Sequence, residues 1–317
     1  MQSPESPPLV TVGIPLYRSR RFVPVITENI HAIDYPNIEI IVSDRHGLDD
    51  AIDEIERLFP GDPRLRYLRA SDERDWVENY NVLLDAARGE YFLWMAHDDS
   101  YSGNYISDLV AALEVDPDAV LAFGRVDRIS VDGFLPVKSQ FVPPRLPADR
   151  GWPFWMPFHL LMLWEEPWVP FRGLLRKAAV DARALRMRKT ESNPCADVCW
   201  VFGLSLIGRI GYVPTCVCTK RFYGESTGAQ WQHSVRTRYN EFRAQAAYVK
   251  NIEQRRWRVL PEQTALFLFF VARTLSPKRI RKPLRSATPS ATKTVGLRGT
   301  TACSNRPSRT SPEARRR

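Results

Sequence analysis

A buried strand that ends in two carboxylates constrains this chain most. Residues 91–95 form an unbroken run of apolar and aromatic side chains, and after Ala96 the polar residues His97, Asp98 and Asp99 follow at once. The run has the length of a buried strand, which would deliver both carboxylates to one edge of a sheet. Ligands bind at that edge in open α/β sheets. The alternative is a solvated turn in which Asp98 or Asp99 caps the next helix.

Two adjacent carboxylates suit a divalent cation. Like charges this close repel each other, and a cation between them and a phosphate removes the repulsion. The sequence has neither a glycine-rich dinucleotide fingerprint after its first apolar segment nor a Walker sequence. A nucleotide bound at this edge would therefore be held by side chains and a metal ion.

Strand and helix patterns alternate along the first half of the chain. The apolar segments 9–16, 37–44 and 66–68 predict strands, and spacings of three and four residues between them predict helices, the first capped by Ser19. Further on, residues 119–123 predict one strand and a second, separate strand follows, closed by an Asp-Gly turn at 132–133. This alternation predicts an α/β fold with a mostly parallel sheet.

The same pattern brings several polar groups together. Pro15 and Tyr17 stand where the first predicted strand ends, and Asp44 ends the second. Because the carboxyl ends of parallel strands meet at one edge, we expect these residues beside Asp98 and Asp99.

Charge is distributed unevenly. The net charge is +9, but residues 272–317 hold thirteen Lys or Arg against the single acid Glu313, so the remainder is slightly acidic. Beyond Arg285 the Ser, Thr, Pro and Arg content predicts a disordered, basic tail. Because the rest of the chain is slightly acidic and contains no nucleic-acid recognition motif, we expect no specific nucleic-acid partner.

The N-terminal residues are not those of a signal peptide, so a cytoplasmic location is expected, with reduced thiols. Four of the five cysteines could be imagined as a zinc site, but their spacings are not those of a zinc finger, and buried structural thiols are favoured.

Two apolar segments leave alternatives open. Residues 266–272 are too short to span a bilayer and precede a basic cluster; they form either the last core helix, which we favour, or a peripheral contact at the inner face of the membrane. Residues 141–170 hold four tryptophans and three phenylalanines among many prolines. This segment is either a packed aromatic loop or a wall for a sugar or lipid acceptor.

The order and spacing of the motifs resemble glycosyltransferase family two, an inverting family with the GT-A fold, and in particular a subgroup with Ala-His-Asp-Asp in place of Asp-x-Asp-Asp. The resemblance extends from about Val10 to Gly228. Its motifs are residues 10–17, residues 39–44, Asn81, residues 89–91, residues 96–99, residues 173–176, Asp197, residues 203–214 and Arg221.

The resemblance implies a Rossmann-like, mostly parallel sheet flanked by helices. A nucleotide-sugar-binding half would span 1–135, an acceptor-binding half 136–272, and the basic low-complexity tail 273–317. The implied activity is inverting transfer of a hexosyl or related group from a nucleotide-diphosphate sugar to a saccharide or lipid-linked acceptor, in cell-surface polysaccharide biosynthesis.

The resemblance also assigns roles to residues. Asp99 would coordinate Mg²⁺ or Mn²⁺ on the diphosphate, and Asp197 would be the general base. Trp168 and Gly173 would contact the acceptor. The nucleotide would be bound by Pro15, Tyr17, Asp44, Asn81, Asp98 and Arg221, and Asp98 would either touch the ribose or bridge to the metal.

Some residues depart from the family pattern. Arg45 follows Asp44 where many members have a second acid, and Tyr223 stands near the usual position of a histidine. These departures favour, as the alternative function, a catalytically silent nucleotide-sugar-binding module. Asp197 could also cap a helix, in which case Glu191 is the next carboxylate to consider as the base.

Overall fold

We describe the fold from a computed structural model, which describes residues 6–45, 49–69, 74–131, 139–141, 168–190, 195–224, 234–252 and 256–275. The chain divides into two compact units, Met1–Ser276 and Pro277–Arg317. The second unit, most of the predicted tail, lies outside the described residues, as do Glu191, the 132–133 turn, and the aromatic residues of 142–167.

The first half is a parallel sheet with helical connections. Its strands lie in the order β3-β2-β1-β4, and each neighbouring pair is parallel. Every residue of β1 and β2 is buried, which explains their nearly continuous apolar sequence. The strands are β1 (Val10–Leu16), β2 (Ile38–Asp44), β3 (Leu65–Leu68) and β4 (Tyr91–Trp94), and the helices are α1 (Val23–Ala32), α2 (Ala51–Leu58) and α3 (Trp76–Ala86).

The sheet continues into the second half through antiparallel β8, which lies between β4 and β6. Parallel pairing then joins β6 to β9, β5 pairs with β9, and β7 pairs with β6. The elements are β5 (Ser100–Tyr101), α4 (Tyr105–Val115), β6 (Ala119–Ser130), β7 (Ser139–Phe141), β8 (Leu174–Arg176), α5 (Lys177–Asp181), α6 (Ala196–Ser205) and β9 (Arg209–Phe222).

Two long helices complete the described chain, α7 (Val235–Ile252) and α8 (Arg256–Leu275). They contact each other through aromatic rings, with Phe242 at 5.9 Å from Phe267 and 5.7 Å from Phe270. Helix α7 packs on α6 where Tyr248 lies against Gly203, a position at which a Cβ atom would approach the tyrosine ring to 2.9 Å.

The favoured placement of residues 266–272 in the last helix agrees with the structure only in part. Leu266 is buried, but Phe267 and Leu268 are 49% and 62% exposed, and the helix continues to Leu275. Among the helices in the described ranges, none is both long and apolar enough to cross a membrane.

The α/β fold predicted from the sequence is confirmed, with three local differences. Ser19 precedes a 3₁₀ turn and makes no capping hydrogen bond to it. Residues 119–130 form one continuous strand instead of two, because β9 pairs along its length across a bulge. Helix α4 begins after Asn104, so neither Asp98 nor Asp99 caps it.

Candidate active site

The parallel strands bring the predicted site residues to one edge of the sheet. Leu16 is in register with Asp44, and Pro15 with Ser43, at the carboxyl ends of β1 and β2. The main chain just beyond β4 stays joined to β1, because the Met95 amide donates to the Gly13 carbonyl at 2.9 Å. Tyr17, Asp44 and the carboxylates after β4 therefore share one edge, as predicted.

Asp98 is partly buried and accepts a hydrogen bond from the Tyr223 hydroxyl at 3.0 Å. Burial alone would raise the pKa of Asp98, but the charge of Lys220, the hydrogen bond from Tyr223 and the charge of Arg172 act against it, and the pKa is held below its usual value. Asp98 is thus ionised at neutral pH.

His97 connects this carboxylate to the turn after β1. Its Nδ1 lies 2.6 Å from Ser19 Oγ, and its ring stacks on Phe22 at 5.1 Å. Ser19 Oγ in turn accepts a hydrogen bond from the Tyr17 amide at 2.8 Å. Burial lowers the pKa of His97, which favours the neutral imidazole. The side chain of Ser19 therefore positions Tyr17 and His97 instead of capping a helix.

Asp99 has quite different surroundings. Its carboxylate is inaccessible to solvent, with Oδ2 accepting from Arg172 Nε at 2.8 Å and Oδ1 from the Arg221 amide at 3.2 Å. Burial opposes the charge on Arg172, but Asp99 outweighs it and raises the arginine pKa. This closed, ion-paired position differs from the open metal ligand that the sequence analysis expects.

Arg221 lies at the motif, as expected, but it binds protein atoms. Its Nη1 donates to the Asp98 carbonyl at 2.9 Å and to Ser100 Oγ at 2.8 Å. These bonds hold β9 against the segment that carries the carboxylates.

Asp197 lies in the first turn of α6, which follows Cys195 in the left-handed region at φ 62°. Cys195, not Asp197, is the N-cap residue, and the Asp197 carboxylate accepts a hydrogen bond from the adjacent Val198 amide at 2.9 Å. Burial raises the pKa of Asp197, although the charges of Arg172 and Lys220 act against the rise. The structure thus places Asp197 in the first turn of α6, where it binds one helix amide, and not at the N-cap.

Tyr80 shows that the two halves of the chain converge. Its ring stacks on Phe171, with centroids 5.6 Å apart. Burial raises the pKa of its phenol, and the charges of Asp98, Asp99 and Asp197 raise it further while Arg172 lowers it. Carboxylates from both halves of the chain therefore act electrostatically on this one hydroxyl.

Trp168 lies at a 3₁₀ turn that links these groups. The guanidinium of Arg172 lies 4.9 Å from its ring centroid and the ammonium of Lys220 lies 5.8 Å away. Gly173, the second expected acceptor residue, is buried at the end of the same turn. A Cβ atom there would come within 2.5 Å of the Ala122 carbonyl, so close packing against β6 explains this glycine.

Two expected nucleotide-binding residues make contacts within the protein. The side-chain amide of Asn81 donates to the Met187 carbonyl at 2.9 Å and accepts from the Met187 backbone amide at 3.0 Å. The ring of Tyr17 is covered on one face by the guanidinium of Arg45 at 4.3 Å. Nucleotide contacts by these two side chains remain predictions.

Sequence analysis missed Arg172, Lys220, Ser19 and Tyr80. Each acts through a partner far away in the chain, and no local spacing marks such a contact. A weak signal existed at Arg172, because an arginine between Phe171 and Gly173 interrupts an apolar stretch that enters the core.

Comparison with known protein families identifies the family of this chain. The model of the family described as "Glycosyl transferase family 2" matches residues 11–173, slightly more than half of the chain. The chain belongs to glycosyl transferase family 2. The match contains the parallel half of the sheet and ends at Gly173, before Asp197 and Lys220.

Relatives within family 2 match this chain over short stretches. An uncharacterized glycosyltransferase of Rickettsia felis is 30% identical over 127 residues, which are 40% of this chain and 21% of that protein. The GalNAc(5)-diNAcBac-PP-undecaprenol beta-1,3-glucosyltransferase of Campylobacter jejuni is 27% identical over 104 residues, 32% of this chain and 34% of that one. The match thus spans well under half of these relatives.

Solved structures share the fold over most of the chain. S. aureus TarS in complex with UDP-GlcNAc has a TM-score of 0.60 at 14% identity, covering 84% of this chain and 73% of that one. The mannosyltransferase PcManGT from Pyrobaculum calidifontis, in complex with GDP-Man and Mn²⁺, has a TM-score of 0.50 at 15% identity, covering 87% and 78%. These likenesses confirm the GT-A fold of this family 2 member.

Proposed function

We propose that this family 2 member transfers a hexosyl or related group from a nucleoside-diphosphate sugar to an acceptor hydroxyl, with inversion. The observation that carries the proposal is the packing of α6, which carries Asp197, against β4, which leads to Asp98: the ring centroids of Trp200 and Trp94 lie 5.6 Å apart, and the charges of both carboxylates act on Tyr80. An inverting displacement needs a base on one side of the sugar and charge stabilisation for the leaving diphosphate on the other. Two separately held carboxylates can divide these tasks.

The nucleotide would lie at the carboxyl ends of β1 and β2. Pro15, Tyr17 and Asp44 would hold the base and ribose there, with Asn81 and Arg221 supporting the site. The UDP-GlcNAc and GDP-Man complexes of the two fold neighbours support a nucleoside-diphosphate donor.

Asp98 fits a divalent cation better than Asp99 does. The described residues contain no group of three His, Cys, Asp or Glu side chains that could hold a metal ion. Mg²⁺, however, is commonly bound through one or two carboxylates together with substrate phosphates and water. Asp98 is ionised and partly accessible, whereas both Asp99 oxygens are occupied.

We therefore assign Asp98 as the protein ligand of Mg²⁺ or Mn²⁺. The bound ion would neutralise charge on the diphosphate. Asp99 would not contact the ion, and would instead hold Arg172 in place through their ion pair.

Asp197 would take the proton from the acceptor hydroxyl. Its raised pKa makes it a stronger base than an ordinary carboxylate, and it is still ionised where its pKa lies below the working pH. The N-cap position of this helix is taken by Cys195, so Asp197 is not its N-cap residue.

The acceptor would contact Trp168, whose ring suits a sugar or lipid chain. The undecaprenol-linked substrate in the name of the Campylobacter relative supports a lipid-linked acceptor. We propose a cytoplasmic enzyme that contacts the inner face of an anionic membrane, because α8 exposes Phe267, Leu268 and Leu275 immediately before a strongly basic segment. A role in cell-surface polysaccharide synthesis would fit that location.

One observation favours the catalytically silent alternative: the Tyr223 hydroxyl already occupies an oxygen of Asp98. Incubation with a panel of nucleoside-diphosphate sugars and Mn²⁺ separates the two functions. An enzyme releases the nucleoside diphosphate in the presence of acceptor extract, and more slowly to water. A silent module binds a donor in calorimetry and releases none.

A further inference from the structure

Lys220 is the starting point of a further inference, which rests on the proposed function. The residue lies on β9 and its ammonium is held between the carboxylate motif and the aromatic turn. It lies 3.9 Å from Asp99 Oδ1, 5.2 Å from the ring centroid of Phe222 and 5.8 Å from that of Trp168. The side chain is about one-fifth exposed, so its charged end remains accessible to a ligand.

The charge of Lys220 is not neutralised by a close partner among these groups. A distance of 3.9 Å is too long for a hydrogen bond. Asp99 is already committed, because Oδ2 accepts from Arg172 and Oδ1 from the Arg221 amide. With one negative and two positive charges, the trio of Asp99, Arg172 and Lys220 carries a net positive charge of its own, beside the carboxylates of Asp98 and Asp197.

This positive charge faces the carboxylates that would flank the donor. The charge of Lys220 lowers the pKa of both Asp98 and Asp197. The ammonium lies 3.9 Å from the carboxylate of Asp99, the residue next to Asp98, so a ligand bound at Asp98 would lie near it. In the part of the chain that the structure describes, Lys220 forms its ion pair with Asp99 and not with Asp98 or Asp197.

The chemistry of the leaving group needs such a cation. A departing nucleoside diphosphate gains negative charge. A metal ion held by Asp98 alone would neutralise part of that charge, and protein groups would neutralise the rest. Lysine is a common phosphate ligand because its ammonium is a compact point charge.

We propose that Lys220 binds the diphosphate of the donor and of the product, and that it stabilises the leaving group together with the metal. Its aromatic neighbours Trp168 and Phe222 hold the flexible side chain in place. The nucleoside part of the ligand would not contact it.

Calorimetry with a panel of UDP, GDP, ADP, CDP and dTDP, each with Mn²⁺, tests this proposal. For whichever diphosphate the native protein binds, Lys220→Met should weaken binding by roughly ten- to a hundredfold, the effect of one charged hydrogen bond. Affinity for the matching nucleoside should stay unchanged. Lys220→Arg should retain most of the diphosphate affinity, and Lys250→Met, which removes an exposed lysine of α7, should retain all of it.

The outcomes separate this proposal from the proposed function. Native binding with unchanged affinity in folded Lys220→Met overturns the role of Lys220 alone. If the native protein binds none of the five diphosphates, both proposals are overturned. Thermal melting reports whether each variant is folded, and Lys220→Gln replaces Lys220→Met in the comparison if the methionine variant does not fold.

Discussion

Arg172 and Asp99 form an ion pair with 2.8 Å between Nε and Oδ2, and their side chains are only 9% and 0% exposed. The pair joins the turn that carries Trp168 to the segment that carries Asp98, and a hydrogen bond from the Tyr105 hydroxyl to the Arg172 carbonyl, at 3.0 Å, fixes the same turn. The site is thus assembled around a buried charge pair that connects the two halves of the sheet.

This pair predicts different phenotypes for the two adjacent aspartates. Asp99→Asn leaves the Arg172 charge buried without its counter-charge, so the free energy of unfolding should fall by about 3 to 5 kcal/mol. Asp98→Asn should change stability little but should abolish the effect of Mn²⁺ on diphosphate affinity. Denaturant unfolding and calorimetry measure the two effects. The assignment of the metal to Asp98 is wrong if Asp99→Asn stays stable and loses metal-dependent binding instead.

Tyr223 provides a second test. Tyr223→Phe removes the hydrogen bond to Asp98, and a freed carboxylate oxygen should raise the affinity for Mn²⁺ in the presence of diphosphate by roughly fivefold, as expected for a bond contributing about 1 kcal/mol. Tyr35→Phe, which loses a hydroxyl bonded to the Pro8 carbonyl, is the matched control. Weaker Mn²⁺ binding in Tyr223→Phe would show that the phenol supports the metal site rather than competing with it.

The raised pKa of Asp197 predicts a pH dependence of stability. The folded protein binds a proton at Asp197 more tightly than the unfolded chain does, so stability falls as pH rises from the ordinary carboxyl pKa through the raised one. Asp197→Asn removes this loss. Urea unfolding at several pH values should therefore show that the free energy of unfolding of the variant rises relative to that of the native protein across this pH range, and does not do so below it. A constant difference would mean that the pKa of Asp197 is not raised.

The C-terminal segment should be dispensable for chemistry. A chain that ends at Arg285 should keep its melting temperature and turnover but bind anionic vesicles more weakly, because each lysine or arginine near such a surface contributes about 1 kcal/mol. Replacing Phe267 and Leu268 by Ser should weaken vesicle binding further. Vesicles of neutral lipid are the control. Loss of folding on truncation would contradict this account of the segment.

The sequence predicted the parallel half of the fold well because its signals are local. Residues 9–16 and 37–44 are buried on both faces, and that burial requires the continuous apolar runs from which the strands were recognised. The position of Asp44 and Asp98 at one edge then followed from parallel pairing alone.

The contacts that complete the site could not be predicted this way. Asp99 and Arg172 are 73 residues apart, and no spacing tells which of two adjacent aspartates turns inward. Ser19 resembled a helix cap because serine forms both kinds of bond, and only the fold brings His97 to its hydroxyl. Gly173 and Asn81 matched family motifs, yet the structure shows packing and backbone contacts at both.

Turnover by Asp197→Asn tests the central claim most directly. At neutral pH the variant should bind the donor like the native protein, and its melting temperature should equal the native one or exceed it slightly. Its rate of sugar transfer should fall roughly a hundredfold or more, the usual contribution of a general base. Asp85→Asn, which removes an exposed carboxylate paired with Arg186, should keep the native rate. Near-normal transfer by Asp197→Asn would contradict the account and would move the search for the base to Glu191.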